Sequence, residues 1–335
     1  MSTSAVDADL SRIAAQREHG LFQGILQTQP FWIFLALIVI CVVMSFVSPS
    51  FTREANLFNT TRNFAFYGIM ALGMTAVIIT AGIDLSVGSV LGLSAVTLAM
   101  AMQAGAPIWL GFLVCMLTAG ACGFVNGVLI AYLKLSPFVV TLGMLSIARS
   151  LALSVSNNQM IYQFGPDERI FLEIGSGRLL GLANPVWVLI VLTVVFVFLF
   201  RYSTWGRYIF AIGGNEDAAR LTGVPVERVK VSVYVLCSLM AGLTAFLMCG
   251  WLGSVTSSLG VAYELQVIAS TVIGGANLMG GQGYALGAAI GAALVEVIRN
   301  SLLLAGVDPY WQGTFVGAFI ILAVLLEKVR VRRGA

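Results

Sequence analysis

The chain has 335 residues, of which 59% are hydrophobic and only 10% charged, and its 18 lysines and arginines against 15 acids leave a net charge of +3. Soluble domains carry about 25% charged residues, so a water-soluble globule is excluded. A membrane β-barrel is excluded as well, because its segments alternate apolar and polar over roughly ten residues, whereas here the apolar stretches run unbroken at lengths that suit a spanning helix.

The expected fold is therefore all-α, a polytopic membrane bundle of about ten transmembrane helices. Residues 1–30 read as a polar cytoplasmic leader containing Arg12, Arg17, Glu18 and the single histidine, His19. The apolar run that follows has no cleavage pattern at its end, so it reads as a retained first span. Spans are expected near Phe31 to Val47, Phe64 to Ala81, Leu85 to Met102, Ile108 to Leu133 and Pro137 to Val155. Five more lie near Pro185 to Phe200, Val231 to Leu252, Tyr263 to Ile273, Tyr284 to Leu304 and Tyr310 to Leu326, giving a transmembrane domain over 31–326. The eighth covers only about half of a ~30 Å hydrocarbon core at 1.5 Å per residue. Its flanking glycine-rich stretch is expected to help it across.

Cations supply an independent test, since lysine and arginine concentrate in short cytoplasmic segments. The leader, the Lys134 turn, residues 201–230 and the basic tail 327–335 share one side when both termini are cytoplasmic and ten crossings occur. Arg53, Arg62, Arg169 and Arg178 then lie on the other side. The outer segment 156–184 is long enough for a small cap or docking surface, or it is a solvated connector.

Within 201–230 the stretch RYIFAIGGNEDAARLTGVPVERVK reads as a short helix. Gly213 and Gly214 give a flexible lead-in, Asn215 caps the free amides, and Glu216 and Asp217 sit at the positive end of the helix dipole. Gly223 and Pro225 terminate it. On these residues alone it is a surface helix of a large loop. Asp84, in Gly82-Ile83-Asp84-Leu85-Ser86-Val87-Gly88, interrupts apolar sequence. It serves either as the N-cap of the helix that follows or as part of a solute path. Gly274 to Gly283, with Asn277, offers a comparable break in the second half, or else a simple inner turn. Paired breaks suggest two related five-helix halves.

Asn126 offers an amide to a neighbouring helix or to a solute hydroxyl. Glu296 and Arg299 are three residues apart and neutralise each other on one face, or Arg299, near the outer end, snorkels and meets the substrate, the less favoured reading. Gly88 with Gly92, Gly123 with Gly127, Gly283 with Gly287 and Gly291, and Gly313 with Gly317 repeat the spacing of close helix packing. The five cysteines, Cys41, Cys115, Cys122, Cys237 and Cys249, lack metal or disulfide spacing and read as small core residues. No metal site is expected, and nothing in the charge pattern calls for a nucleic-acid partner.

Three phrases carry a resemblance. Asp217-Ala218-Ala219 followed by Gly223 resembles the Glu-Ala-Ala then glycine pattern of permease subunits of ATP-binding-cassette importers, with aspartate in place of the usual glutamate. AIGGNEDAARLTGV, GMTAVIITAGIDLSVGSV at Gly73 to Val90, and VIGGANLMGGQG at Val272 to Gly283 resemble its ribose, xylose, arabinose and galactose branch. The resemblance implies a bacterial inner-membrane permease that pairs with a second copy or a related permease and takes a pentose, hexose or polyol from a periplasmic binding protein. It further implies that Gly213, Gly214, Asn215, Glu216, Asp217, Ala218, Ala219, Arg220 and Gly223 form the contact to a separate ATPase subunit. Asp84, Ser86, Asn126 and Asn277 become candidates for the translocation path. The chain lacks a G-x-x-x-x-G-K-[ST] phosphate loop, so ATP and magnesium are expected on the partner ATPase and no cofactor in this chain. The competing class is an ion-coupled secondary transporter of a small polar solute. Such machines place acids in the membrane core, and Asp84, Glu264 and Glu296 are the candidates, all toward span ends.

Overall fold

The computed structural model describes residues 29–308, 311, 313–315, 317 and 318, so the leader, most of the tenth span and the basic tail lie outside the described residues. The rest is almost entirely helical. The helices are α1 Gln29–Val47, α2 Glu54–Ile79, α3 Val87–Gln103, α4 Ile108–Ala131, α5 Pro137–Val155, α6 Glu168–Ser176, α7 Asn184–Tyr202, α8 Thr204–Gly214, α9 Glu216–Leu221, α10 Val226–Leu252, α11 Tyr263–Ile273 and α12 Ala285–Leu304. Among the described residues seven of these, α1, α2, α4, α5, α7, α10 and α12, are long and apolar enough to cross a membrane, and α3 and α11 are shorter apolar helices. All nine coincide with expected spans.

α2 and α10 form the centre. Every residue of α2 from Ala65 to Ile79 is buried, and α10 packs on α2, α3, α4 and α6. Small residues make these contacts possible because packing, not exclusion of water, joins helices in hydrocarbon. A β-carbon added at Gly73 would stand 2.8 Å from the Cα of Cys237, one at Gly123 2.6 Å from the Tyr234 carbonyl, and one at Gly127 2.7 Å from the Cα of Val231. Gly287 and Gly291 press in the same way on Gly274 and Ser270, bringing α12 onto α11, whereas Gly313 and Gly317 meet nothing within 4 Å. α1 lies at the periphery against α12, with only Pro30, Ile33 and Met44 buried.

Two details differ from expectation. α2 begins at Glu54, ten residues before the apolar run. Asn56, Asn59, Arg62 and Asn63 read as non-spanning by hydropathy, yet their side chains find partners within the bundle. The segment 156–184 is a packed cap. It holds a 3₁₀ turn at Gly165–Asp167, α6, and a two-residue hairpin of β1 Arg178–Leu179 against β2 Leu182–Ala183. Phe164 and Phe171 are fully buried beside Phe246. The Asp167 carboxylate accepts from the Ile108 amide at 2.8 Å, at the start of α4, and Arg178 pairs with Glu54 at 2.8 Å.

The two ends of the bundle are distinct. One carries the cap, Glu54 and the start of α4. The other carries the end of α2, the Lys134 turn, α8, α9 and the 274–284 turn, so the expected sorting of cations between ends holds within the described residues.

The glycine contacts give a direct test. Gly127→Val should lower the stability of the chain in detergent by roughly 1–3 kcal/mol, the cost of overpacking. Gly143→Val, where an added β-carbon meets nothing within 4 Å, should stay within about 0.5 kcal/mol of the parent; thermal unfolding of both proteins reads the difference.

Candidate functional site

The inner segment holds two helices where one short helix was expected. Ser203 caps α8, its hydroxyl oxygen accepting from the Gly206 amide at 2.9 Å, and the Trp205 indole donates to Ser232 on α10 at 2.8 Å. α8 then runs to Gly214, so Gly213 and Gly214 are its last residues and not a flexible lead-in. Asn215 is extended and caps α9, its side-chain oxygen accepting from the Ala218 amide at 2.9 Å. α9 stops as expected at Gly223, whose φ of +85° suits the left-handed residue that ends a helix, and the Val224 amide returns to the Ala219 carbonyl at 3.1 Å. Pro225 stands at the start of α10 and does not end α9.

α9 has two faces. Ala219 is buried against the bundle, so its small side chain serves packing within the chain. Gly214, Asp217 and Ala218 are exposed, and Leu221 is 88% exposed, a large apolar side chain displayed at the helix end. Charges brace the base. Arg220 bonds Glu227 and reaches Glu216 at 3.4 Å, while Lys230 bonds Glu216 at 2.5 Å. The hydrogen bond to Glu227 holds the Arg220 guanidinium above its ordinary pKa, so it remains a cation at any physiological pH.

The three phrases that carry the resemblance meet at one point. The Gly281 amide donates to the Ile79 carbonyl at 2.9 Å, joining the 274–284 turn to the end of α2. Gly213 fills the remaining space: an added β-carbon would lie 2.5 Å from the Gly281 nitrogen and closer still to the Ile79 carbonyl oxygen. Gly280 likewise abuts the Gly213 carbonyl and Ala81. The pair α8–α9 thus touches both α2 and the turn between α11 and α12.

The path candidates separate. Asp84, Ser86 and Asn126 form one chain of hydrogen bonds, each residue fully buried. The Asn126 amide donates to the Ser86 hydroxyl at 3.0 Å, and the hydroxyl and amide of Ser86 donate to one oxygen of Asp84 at 2.6 and 2.8 Å. Asp84 is therefore not the N-cap of α3. The cap position is Ser86, and Asp84 closes a local turn two residues earlier. Asn126 bonds between helices, as one of its two readings held. Asn277 takes no part in these hydrogen bonds and accepts from the Met279 amide at 2.8 Å within the 274–284 turn.

A second irregular stretch, partly buried, precedes α11. Residues 253–262 pack along the start of α3: an added β-carbon at Gly92 would lie 2.7 Å from the Leu259 carbonyl, and Gly88 abuts Gly260 and Glu264. Both short helices thus begin from irregular segments, and the one ahead of α11 lies against the first turns of α3. Arg149 on α5 clasps the second segment through the Ser257 and Leu259 carbonyls at 2.6 and 2.9 Å.

One group of polar residues escaped sequence reasoning. Asn56, Thr60, Asn63 and Tyr67 recur at helical spacing on α2 and face Glu296, Arg299 and Asn300 of α12. Asn56 and Asn300 exchange hydrogen bonds at 3.1 and 2.9 Å, Asn63 donates to Glu296 at 3.0 Å, and Arg299 donates to Tyr67 at 3.0 Å. The spacing was available, but it begins before the apolar run and was masked by starting the span at Phe64. Glu296 and Arg299 do pair, at 3.6 Å. Among the described residues no group of His, Cys, Asp and Glu is arranged to hold a metal.

Comparison with known proteins agrees with this architecture. Residues 56–324 match a family described as branched-chain amino acid transport system / permease component. The ribose import permease protein of Escherichia coli (strain K12) is 36% identical over 294 residues, covering 88% of this chain and 92% of that protein. The L-arabinose ABC transporter permease protein of Azospirillum brasilense is 32% identical over 298 residues, covering 89% and 87%. The galactose/methyl galactoside import permease protein of Escherichia coli (strain K12) is 34% identical over 326 residues, covering 90% and 94%. The class defined is a multi-pass membrane permease, a transport component and not an enzyme. The chain belongs to this family of permease components of ATP-binding-cassette transport systems.

The Asp84 cluster predicts an ordered mutational series. Asp84→Asn keeps the acceptor and should leave the melting temperature near the parent value, whereas Asp84→Leu strands the buried Ser86 amide and should cost about 1–3 kcal/mol, read by thermal unfolding of the purified chain.

Proposed function

We propose that the chain forms half of the permeation path of a bacterial ATP-driven importer for a monosaccharide or related polyol. One observation carries the mechanical part of this reading: α9 is displayed at the bundle end with Leu221 outward, while its root Gly213 is wedged between Ile79 and Gly281. A force applied to α9 is handed through α8 to both α2 and the α11–α12 turn. The sequence holds no phosphate loop of its own, so ATP and magnesium belong to a separate ATPase subunit whose surface receives Leu221, Ala218 and Asp217. The cap over 156–184 faces a periplasmic binding protein that delivers the solute. A second copy of the permease completes the path, and both termini lie on the cytoplasmic side of the inner membrane.

The substrate class follows from relatives and chemistry together. The family description names branched-chain amino acids, whereas the import permeases at 32–36% identity name ribose, arabinose and galactose. Identity over nearly nine-tenths of the chain is the more specific guide, because a family description spans every branch. An uncharged sugar also suits a bundle whose two buried acids among the described residues each keep one oxygen bonded, Asp84 to Ser86 and Glu296 to Asn63, with Arg299 balancing the charge of Glu296.

Reconstitution in liposomes with the ATPase and binding protein encoded beside this chain tests the reading. ATP-dependent uptake of ribose, arabinose or galactose is expected, with no uptake on a proton or sodium gradient alone; gradient-driven uptake, or ATP-driven leucine uptake without any sugar uptake, refutes it. Coupling has its own test. Gly213→Ala should cut uptake about tenfold or more by forcing backbone apart at the joint, with the ATPase still bound and hydrolysing. Gly214→Ala, one residue on and with nothing within 4 Å of an added β-carbon, should transport normally.

A further inference from the structure

The polar seam between α2 and α12 holds groups that the pair α8–α9 does not use. Glu296 is 3% exposed and receives one hydrogen bond, from Asn63 to its Oε1. Its Oε2 receives none among the described residues, although Arg299 Nη1 stands 3.6 Å away. Thr60, one turn from Asn63 on the same face of α2, is also buried with its hydroxyl unbonded, and so is the Oε1 of Gln266 on α11. Orphans also remain at Asp84 Oδ2 and Asn126 Oδ1; the seam differs in setting its open acceptor beside a cation, Arg299. In a bilayer water does not reach such groups from outside, and each buried acceptor left bare costs about 1–3 kcal/mol.

The surroundings specify what would satisfy them. Tyr67 and Tyr263 present rings 4.9 Å apart and tilted by 54°, an aromatic edge at the inner end of the seam. Arg299 already donates to the Tyr67 hydroxyl, and its side chain keeps 35% of its surface exposed. Glu296 and Arg299 cancel each other's charge, so the site has no net field to hold an ion. Hydroxyl donors for Glu296, hydroxyl acceptors for Arg299 and an apolar ring face for the tyrosines are the attributes of an uncharged sugar. Asn56 and Asn300 continue the same chemistry toward the end that carries the cap.

We propose that Asn63, Tyr67, Tyr263, Glu296 and Arg299 form a binding station for a neutral monosaccharide on the cap side of the membrane. The proposal rests on the sugar-importer reading and adds to it the residues that meet the solute.

Thermal unfolding of the full-length chain in lipid nanodiscs, with ribose, arabinose, galactose and trehalose as an osmotic control, tests the station without any partner subunit. The parent should be stabilised saturably by at least one of the three monosaccharides and not by trehalose. Glu296→Gln should raise the half-saturating concentration about tenfold, the loss of a charge-assisted hydrogen bond, and Tyr263→Phe, which keeps the ring and removes only the hydroxyl, about threefold. Each variant's half-saturation is read against its own sugar-free midpoint, since Glu296→Gln also removes the counter-charge of Arg299. Should Glu296→Gln fail to fold, Tyr263→Phe carries the comparison. No saturable effect in the parent, or unchanged half-saturation in the folded variants, overturns the station. ATP-dependent sugar uptake by the assembled transporter separates the two readings: uptake without saturable binding sinks the station alone, and absence of uptake sinks the importer reading and the station with it.

Discussion

A backbone amide or carbonyl in hydrocarbon has no water to turn to, and this chain nonetheless contains two non-helical stretches inside its bundle. The arrangement of the other helices answers that constraint. α2 and α10 approach closely through Gly73 and, with α4 brought in by Gly123 and Gly127, enclose the segment 80–86. Arg149 reaches from α5 to the carbonyls of the segment 253–262. Without glycines at the crossings the helices would stand further apart and the irregular backbone would lose its cover. Small side chains therefore do more here than tighten packing: they make room for non-helical backbone against the helices.

The other end of the bundle is joined as tightly. Gly213, next to the last residue of α8, touches a helix end and a turn at once, so the joint has no slack. α9 beyond it is short, capped by Asn215 and braced by Glu216, Arg220, Glu227 and Lys230. Rigidity at the root and display at the tip are what the proposed coupling role demands, and Gly213 is locked where a flexible pair of glycines was expected.

Most of the bundle was legible in the sequence, because nine expected spans rest on apolar runs whose length is dictated by the bilayer. α5 and α11 even begin and end where the runs do. What hydropathy missed was polar sequence made to span by partners distant along the chain. Asn56 and Asn63 read as loop until Asn300 and Glu296 are placed beside them. The site divided in the same way. Asn215 and Gly223 act locally and were read correctly as cap and stop. Asp84 was misassigned by two residues, because its partner is the Ser86 amide and not the first turn of α3. No local pattern revealed that Gly213, Ile79 and Gly281 converge, or that Ala219 faces inward while Leu221 faces out.

The length of α2 has a further consequence. Its 26 residues extend about 39 Å against a hydrocarbon slab of about 30 Å. The surplus lies at the polar Glu54 end, where Arg178 of the cap hairpin pairs with Glu54 and Asn300 of α12 holds Asn56. The extra turns thus give the cap a mooring post that is continuous with the buried core of the bundle.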